Sequence, residues 1–166
     1  MTRYLLAALL LLSLPQPATA ATDGTIAPPI TSNTWLNSEP LTMTSLHGKV
    51  VLVEFWTFGC YNCRNVEPWI KKWHHTYGGK GLTVIGVHAP ELSFEKKLNN
   101  LKDYIARQQI DYAIAVDNDF NIWHAWHNRA WPTLYLIDKQ GVVRYRRIGE
   151  GGYKTTEAII ERLLNE

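Results

Sequence analysis

The fold and the chemistry of this chain are both indicated by one stretch, Glu54-Phe55-Trp56-Thr57-Phe58-Gly59-Cys60-Tyr61-Asn62-Cys63-Arg64. The stretch continues an apolar run that begins at Val50, and a run of this length is typical of a strand buried on both faces. From Cys60 to Tyr77 the apolar residues recur at helical spacing, and Gly78 follows as a stop signal. The sequence therefore predicts a strand-to-helix turn that carries two cysteines.

The two cysteines are suited to disulfide exchange. Two cysteines that are three positions apart in the first turn of a helix can close a disulfide with little movement of the backbone. Cys60 is expected among the unpaired N–H groups at the positive end of the helix dipole, which favours its thiolate. Cys63 is expected one turn further in and more buried. A dithiol exchanger needs this asymmetry, because one sulfur attacks and the other resolves the mixed disulfide.

Other uses of a Cys-x-x-Cys pair fit the sequence less well. A purely structural disulfide would close only a very short loop, which constrains the unfolded chain little. A c-type haem site needs His directly after the second cysteine, where this chain has Arg64. The histidines that could complete a zinc site form two pairs, His74–His75 and His124–His127. Their spacing from the cysteines differs from that of zinc fingers, so we expect no metal and no organic cofactor.

Two further positions fit the exchange reading. Glu54 is an acidic residue inside an apolar strand, and burial would raise its pKa and make it a proton acceptor for Cys63. The alternative is that Glu54 reaches solvent at the end of the strand. Pro132 directly precedes an apolar strand, which suits a cis bond that presents backbone to a passing peptide. The alternative is a trans proline that only begins the strand.

The rest of the chain alternates strands and helices. Strands are predicted at 82–87, 113–116, 133–137 and 142–145, and helices at 93–109, 121–126 and 155–164. Caps are expected at Ser93 and at Thr155 or Thr156. The order predicts an α/β fold with a central mixed sheet and helices on both faces. We expect a linker over residues 21–34 and one domain over residues 35–166.

The N-terminus has the features of a secretory signal peptide over residues 1–20. Arg3 is followed by an apolar run, Tyr4–Leu14, and then by the small residues Ala18-Thr19-Ala20. We expect cleavage near Ala21 and a periplasmic or secreted protein, in a compartment where disulfides persist. The alternative is an uncleaved membrane anchor.

The composition limits the class of protein. The chain has 166 residues, of which 46% are hydrophobic and 19% charged, so one folded domain with a substantial core is expected. A net charge of +2 without clustering argues against a nucleic-acid partner. Two cysteines are too few for a disulfide-stapled miniprotein. The seven tryptophans suggest a partly exposed apolar face as well as a core. We expect a monomer that acts on protein disulfides.

Several motifs carry a family resemblance. The segment Glu54–Cys63, with Pro132 at the head of a later strand, resembles the thioredoxin superfamily. The segment 41–52 is similar to the lead-in of the TlpA/ResA branch of extracytoplasmic thioredoxin-like proteins. Four motifs resemble the thioredoxin-like domain of DipZ-type cytochrome-biogenesis proteins, namely Trp56–Cys63, Gly86–Glu91, Asn128–Pro132 and Gly149–Gly151.

The resemblance covers residues 35–164 and implies specific roles. It implies a thioredoxin fold with an N-terminal extension and a TlpA-type central insertion. It also implies that Cys60 is the nucleophile, Cys63 the resolving thiol, Glu54 the buried acid and Pro132 the cis-proline.

The chain also departs from these relatives. DipZ-type proteins carry an electron-transferring membrane domain and a C-terminal module on the same chain, so we expect a separate membrane electron donor of the DsbD/CcdA type. Tyr61-Asn62 replaces the Gly-Pro of thioredoxin, and the reduction potential therefore does not carry over. The resemblance alone favours reduction of protein disulfides over oxidation or isomerisation.

Trp131, Trp56 and Tyr61 flank the predicted site and are expected to contact the substrate. Two other functions remain open. A thiol peroxidase would use Thr57 with Arg64 or Arg129 to activate peroxide. A non-enzymatic binding module would use an aromatic surface with Cys60–Cys63 as a static disulfide, and the residues of that surface would be Trp123, Trp126 and Trp131.

Overall fold

The apolar run before the cysteines forms the central strand of a mixed sheet. In the computed structural model, which describes residues 24–166, this strand β2 (Val50–Trp56) is buried along its whole length. It pairs in parallel with β3 (Leu82–His88) and antiparallel with β5 (Thr133–Ile137). The predicted signal peptide, residues 1–20, lies outside the described residues.

Within the described residues, three further strands complete a six-stranded sheet, namely β1 (Trp35–Leu36), β4 (Ala113–Val116) and β6 (Val143–Ile148). The order of the strands across the sheet is β1-β4-β3-β2-β5-β6. β4 is parallel to β3, whereas β1 and β6 are antiparallel edge strands. The predicted central mixed sheet is therefore confirmed.

Four helices cover the two faces of the sheet. They are α1 (Tyr61–Tyr77), α2 (Leu98–Gln108), α3 (Asn121–Ala125) and α4 (Tyr153–Asn165). Successive side chains of a strand point to opposite faces, and β2 accordingly contributes to two cores. Leu52 packs in the core with α1, α2 and α4, while Val53 packs in the core with α3. Within residues 24–166, none of the helices combines the length and apolarity needed to cross a bilayer.

The segment after β3 is the central insertion that the resemblance implies, and we use this name for residues 89–116. The predicted helix 93–109 is interrupted there. A 3₁₀ turn, Ser93–Lys96, comes first, and α2 begins only after the extended residue Lys97. The expected cap at Ser93 is wrong, because Leu92 precedes the turn and its N–H donates to the Glu95 carboxylate at 2.6 Å.

The start of the last helix also differs from the sequence prediction. Helix α4 begins at Tyr153 rather than at Thr155, after Gly152 in the left-handed region at φ 65°. Thr156 does not cap the helix, because it is buried in the second turn and its hydroxyl donates to the Gly152 carbonyl. Glycine tolerates this φ without the clash that a Cβ would bring.

The described part of the expected linker packs against the domain. The backbone of residues 24–27 hydrogen-bonds to the β5–β6 hairpin, with Gly24 N–H donating to Val143 O at 2.7 Å. Ala27 and Ile30 are buried in the core that contains α3. Residues 24–34 are therefore an N-terminal extension that lies on the sheet rather than a free linker.

Candidate active site

Cys60 is the N-cap residue of α1. Its backbone is extended, with φ −73° and ψ 123°, and its side chain is half-buried. Its Sγ accepts a hydrogen bond from Cys63 N–H at 3.2 Å. Helix N-termini present such unpaired N–H groups, and negative charge is stabilised there. The structure thus places Cys60 where the sequence predicts the attacking sulfur.

Cys63 lies one turn further in and is buried, with 3% of its surface exposed. Both thiols are free, which corresponds to the reduced form of the pair. Burial and the neighbouring Glu54 carboxyl raise the pKa of Cys63, so it resists ionisation until a base takes its proton. The pair therefore combines an accessible sulfur with a buried one.

Glu54 is buried in β2 rather than exposed at a strand end. Burial, with a further contribution from the Glu67 carboxyl, raises the pKa of Glu54 to about 8. Glu54 is also close enough for its charge to raise the pKa of Cys63. Glu54 is therefore a titratable group near neutral pH that faces the resolving thiol.

Glu67 is a second buried acid near the site, and the sequence analysis did not identify it. Its carboxylate accepts a hydrogen bond from the Tyr104 hydroxyl at 2.7 Å and pairs with Lys71 at 2.9 Å. Glu67 is a buried residue of α1, and its Tyr104 partner belongs to α2. Because Lys71 compensates its charge, Glu67 adds to the local potential at Glu54 without being an isolated buried ion.

Pro132 lies at the same end of the sheet as the cysteines. Thr133 is opposite Phe55 in the β2–β5 register, so the preceding Pro132 is beside the end of β2 from which the cysteine turn leaves. The Trp131–Pro132 peptide bond is cis, as the sequence analysis expects. Within residues 24–166, no hydrogen bond is formed by the backbone N–H or carbonyl of Trp131.

Two of the three aromatic residues expected to contact the substrate are accessible: Tyr61 is exposed and Trp131 is half-buried. Tyr61 follows Cys60 directly and is 69% exposed. The Trp131 indole N–H donates to the Ala89 carbonyl at 2.9 Å, which fixes its ring beside the central insertion. The expectation for Trp56 needs correction, because Trp56 is 3% exposed and packs inside the domain.

Trp56 is buried because Gly86 of β3 leaves space for its indole. A Cβ on Gly86 would lie 2.7 Å from Trp56 Nε1. The indole also contacts the rings of His88 and Tyr104, with centroid separations of 5.2 and 5.9 Å. Trp56 therefore supports the floor of the site and does not reach its surface.

The expected aromatic surface around Trp123, Trp126 and Trp131 is not a surface. Trp123 and Trp126 are buried against Phe55, with ring centroids 5.9 and 5.7 Å from it. The half-buried Trp131 packs against Trp123, with ring centroids 4.3 Å apart and the ring planes tilted by 36°. These tryptophans fill the core beside α3, and a binding module that uses all three as its contact face is excluded.

A buried polar network next to Cys60 was also missed by the sequence analysis. The Glu95 carboxylate accepts hydrogen bonds from the Thr57 hydroxyl and the Gly59 N–H, both at 2.6 Å. Thr57 Oγ1 is also 3.4 Å from Nε2 of His88. Burial lowers the pKa of His88 to about 4. No signal in the sequence marks this network, since Thr57 and Glu95 are 38 positions apart.

The described residues bring one group of potential metal ligands together, at His74, His75 and Asp111. The Nε2 atom of each histidine lies 3.7 Å from an Asp111 oxygen. Both histidines are in the last turn of α1, and Cys60 caps the other end of this 17-residue helix, which is about 25 Å long. The cluster is therefore separate from the cysteines.

Comparisons with known proteins agree with this site. The AhpC/TSA family matches residues 24–146. Protein DipZ of Mycobacterium bovis is 44% identical over 135 residues, which are 80% of this chain but 19% of DipZ, so the chain spans about a fifth of that relative. Thiol-disulfide oxidoreductase YkuV of Bacillus subtilis is 30% identical over 80% of this chain and 88% of YkuV.

The solved structures point the same way. A thioredoxin-like superfamily protein of 27% identity superimposes with a TM-score of 0.78 over 85% of this chain and 97% of its own. The resemblance to DipZ-type and thioredoxin-like proteins that the motifs carry is thereby confirmed. The chain belongs to the AhpC/TSA family and has a thioredoxin-like fold.

Proposed function

We propose that the protein is an extracytoplasmic reductase of protein disulfides. The observation that carries this proposal is the arrangement of three groups at the start of α1. Cys60 is the accessible N-cap residue, Cys63 is buried behind it, and Glu54 with a pKa of about 8 faces Cys63. The direction of exchange rests on the likeness to DipZ and the TlpA/ResA branch.

The first step is attack by Cys60. Its thiolate bonds to one sulfur of the substrate disulfide, the substrate S–S bond breaks, and the other substrate sulfur leaves as a thiolate that takes a proton from solvent. The product is a mixed disulfide between Cys60 and the substrate. The N–H groups in the first turn of α1, chiefly that of Cys63, stabilise the Cys60 thiolate before attack.

The second step releases the substrate. The Cys63 thiol passes its proton to the Glu54 carboxylate, and the Cys63 sulfur attacks Sγ of Cys60. The mixed disulfide breaks, the second substrate sulfur leaves as a thiolate that takes a proton from solvent, and Cys60 and Cys63 become a disulfide that holds the two-electron oxidation. A membrane electron donor of the DsbD/CcdA type would restore the dithiol, and the exchange as written needs only the two thiols and the Glu54 carboxylate.

Substrate contact would involve Tyr61 and the loop before β5. Tyr61 is exposed beside Cys60, and the backbone of Trp131 is unpaired within the described chain next to Pro132. An extended substrate segment pairs readily with such free backbone groups. We infer that Trp131-Pro132 aligns the substrate disulfide with Cys60.

The structure disfavours Thr57 in a peroxidase role. Thr57 is completely buried and its hydroxyl already donates to Glu95, so it does not face a peroxide at Cys60. Arg64 lies over the Tyr61 ring at 5.9 Å. An oxidase or isomerase would use the same cysteines and is distinguished by the direction of exchange.

Trapping tests the proposed exchange. Cys63→Ser should accumulate a mixed disulfide with a reducible protein substrate, because the resolving sulfur is gone. Cys60→Ser is the matched control and should form none. Absence of a mixed disulfide with Cys63→Ser, or turnover of hydrogen peroxide by the reduced wild type, would contradict the proposal.

Sequencing of the mature N-terminus tests the proposed extracytoplasmic location. A start near Ala21 supports this location, and a start at Met1 opposes it.

A further inference from the structure

Glu95 is the most fully hydrogen-bonded acidic side chain near the cysteines. It is 1% exposed, and three donors converge on its carboxylate at 2.6 Å: the Thr57 hydroxyl, Gly59 N–H and Leu92 N–H. Hydrogen bonds to an ionised acceptor are shorter and stronger than those between neutral groups. Glu95 therefore joins the cysteine turn to the central insertion.

The space around this carboxylate is closed. A Cβ on Gly59 would lie 2.5 Å from Glu95 Oε1, so only glycine allows this approach. His88 lies behind Thr57, and its ring stacks on Phe58 with centroids 5.5 Å apart. Burial lowers the pKa of His88 to about 4, so this histidine is neutral at neutral pH and does not form an ion pair with the Glu95 carboxylate.

Two of the three donors, Thr57 and Gly59, lie in the turn that leads to the nucleophile. Thr57 directly follows β2, and Gly59 immediately precedes Cys60. The Cys60 N–H also donates to the Thr57 carbonyl at 3.3 Å. Movement of Gly59 would therefore carry Cys60 out of the extended N-cap geometry in which its Sγ meets Cys63 N–H.

We propose that Glu95 is a positioning residue of the redox site, which holds the Thr57–Gly59 turn so that Cys60 stays at the N-terminus of α1. The proposal rests on the exchange function above and adds the central insertion to the machinery of the site. Glu95 does not touch the reacting sulfur. It acts through Gly59 and Thr57.

Glu95 could act through its charge or through the position it imposes, and the two actions predict opposite changes in the reactivity of Cys60 when Glu95 is removed. If Glu95 acted only through its negative charge, its removal would favour the Cys60 thiolate and speed its alkylation. If Glu95 acts by position, its removal frees Gly59 and Cys60 reacts more slowly. The rate of Cys60 alkylation in the folded, reduced protein separates the two.

The experiment compares three changes in the full chain. Glu95→Gln removes the negative charge. In either orientation of the amide, its NH₂ group also faces at least one of the three donors, so that at least one hydrogen bond is lost. Thr57→Val removes one hydrogen bond and leaves the charge in place, and Thr57→Ser restores the hydroxyl. Glu91→Gln, at an exposed acid of the same insertion, is the control for charge alone.

Iodoacetamide alkylation of Cys60, read by mass spectrometry, should slow about tenfold in Glu95→Gln and about threefold in Thr57→Val, as expected for loss of hydrogen bonds to a charged group. Thr57→Ser and Glu91→Gln should match the wild type. Cys63 should stay protected from alkylation in all variants. A general loss of structure would instead expose Cys63 and speed its alkylation.

Faster alkylation of Cys60 in Glu95→Gln, or unchanged rates in both Glu95→Gln and Thr57→Val, would overturn the positioning role. If Glu95→Gln fails to fold, the pair Thr57→Val and Thr57→Ser decides alone. These outcomes are distinct from failure of the proposed function, which would appear as absence of a mixed disulfide when Cys63→Ser is the only change in the chain.

Discussion

The Cys63 N–H donates a hydrogen bond to Sγ of Cys60 across 3.2 Å. The resolving residue thus stabilises, through its backbone, the negative charge that the attacking residue needs. Its own side chain is buried, and its pKa is raised by that burial and by Glu54. One turn of helix therefore gives the two cysteines opposite properties.

The first prediction concerns the order of labelling. At about pH 7 in the reduced protein, an alkylating reagent should modify Cys60 well before Cys63, because only Cys60 is accessible and held as a nucleophile at a helix N-terminus. Peptide mass spectrometry after short exposure reads the order. Preferential labelling of Cys63 would reverse the assigned roles.

The second prediction concerns Glu54 in the release step. Glu54→Gln should slow release of the mixed disulfide by about ten- to a hundredfold and leave its formation nearly unchanged, because the carboxylate serves Cys63. In the wild type the release rate should rise with pH up to about 8, where Glu54 becomes ionised. Rapid-mixing kinetics resolve the two steps. A slowed first step with normal release would remove Glu54 from this role.

The third prediction concerns stability and pH. The pKa of Glu54 is about 8 in the folded chain and ordinarily 4.5, so between these values the folded chain holds a proton that the unfolded chain has lost. The free energy of unfolding should therefore fall as pH rises through this window. Because glutamine does not ionise, Glu54→Gln should abolish this fall in the free energy of unfolding. At about pH 8.5 its free energy of unfolding should exceed that of the wild type by roughly a few kcal/mol. Urea unfolding of the reduced proteins measures it, and parallel pH profiles would contradict the assignment.

The fourth prediction concerns substrate contact. Tyr61→Ala should lower exchange with protein disulfides by about three- to tenfold, with little effect on a small disulfide or on stability, since exposed side chains contribute little to folding. Ile26→Ala is a matched control, because Ile26 is 70% exposed and bridges Val142 at the opposite end of the sheet. Comparable losses in both variants would show that Tyr61 has no specific contact.

The fold was predictable where apolar patterns are continuous. The strands β2, β4 and β5 begin and end as the sequence predicts to within one residue, because each is a nearly continuous apolar run. β6 extends to Ile148, three residues beyond its predicted end, because it is an edge strand whose exposed arginines hide the pattern. β1 has only two residues and is defined by its pairing with β4, which no local signal marks.

The part of the site that lies in one short segment of the chain was predictable. Cys60, Cys63 and Glu54 lie close together in sequence, so one motif places them. Glu95 takes its partners from residues 57, 59 and 92, and only the folded chain unites them. The burial of Trp56 depends on Gly86 in the neighbouring strand, and the sequence around Trp56 does not reveal it.

The reduction potential of the Cys60/Cys63 couple tests the central claim most directly. Equilibration of the protein with a glutathione or dithiothreitol buffer of known potential, followed by thiol quantification, gives this value. A reductase of protein disulfides should have a potential near that of thioredoxin, about −270 mV. A potential near that of DsbA, about −120 mV, would contradict the account and make the protein an oxidant.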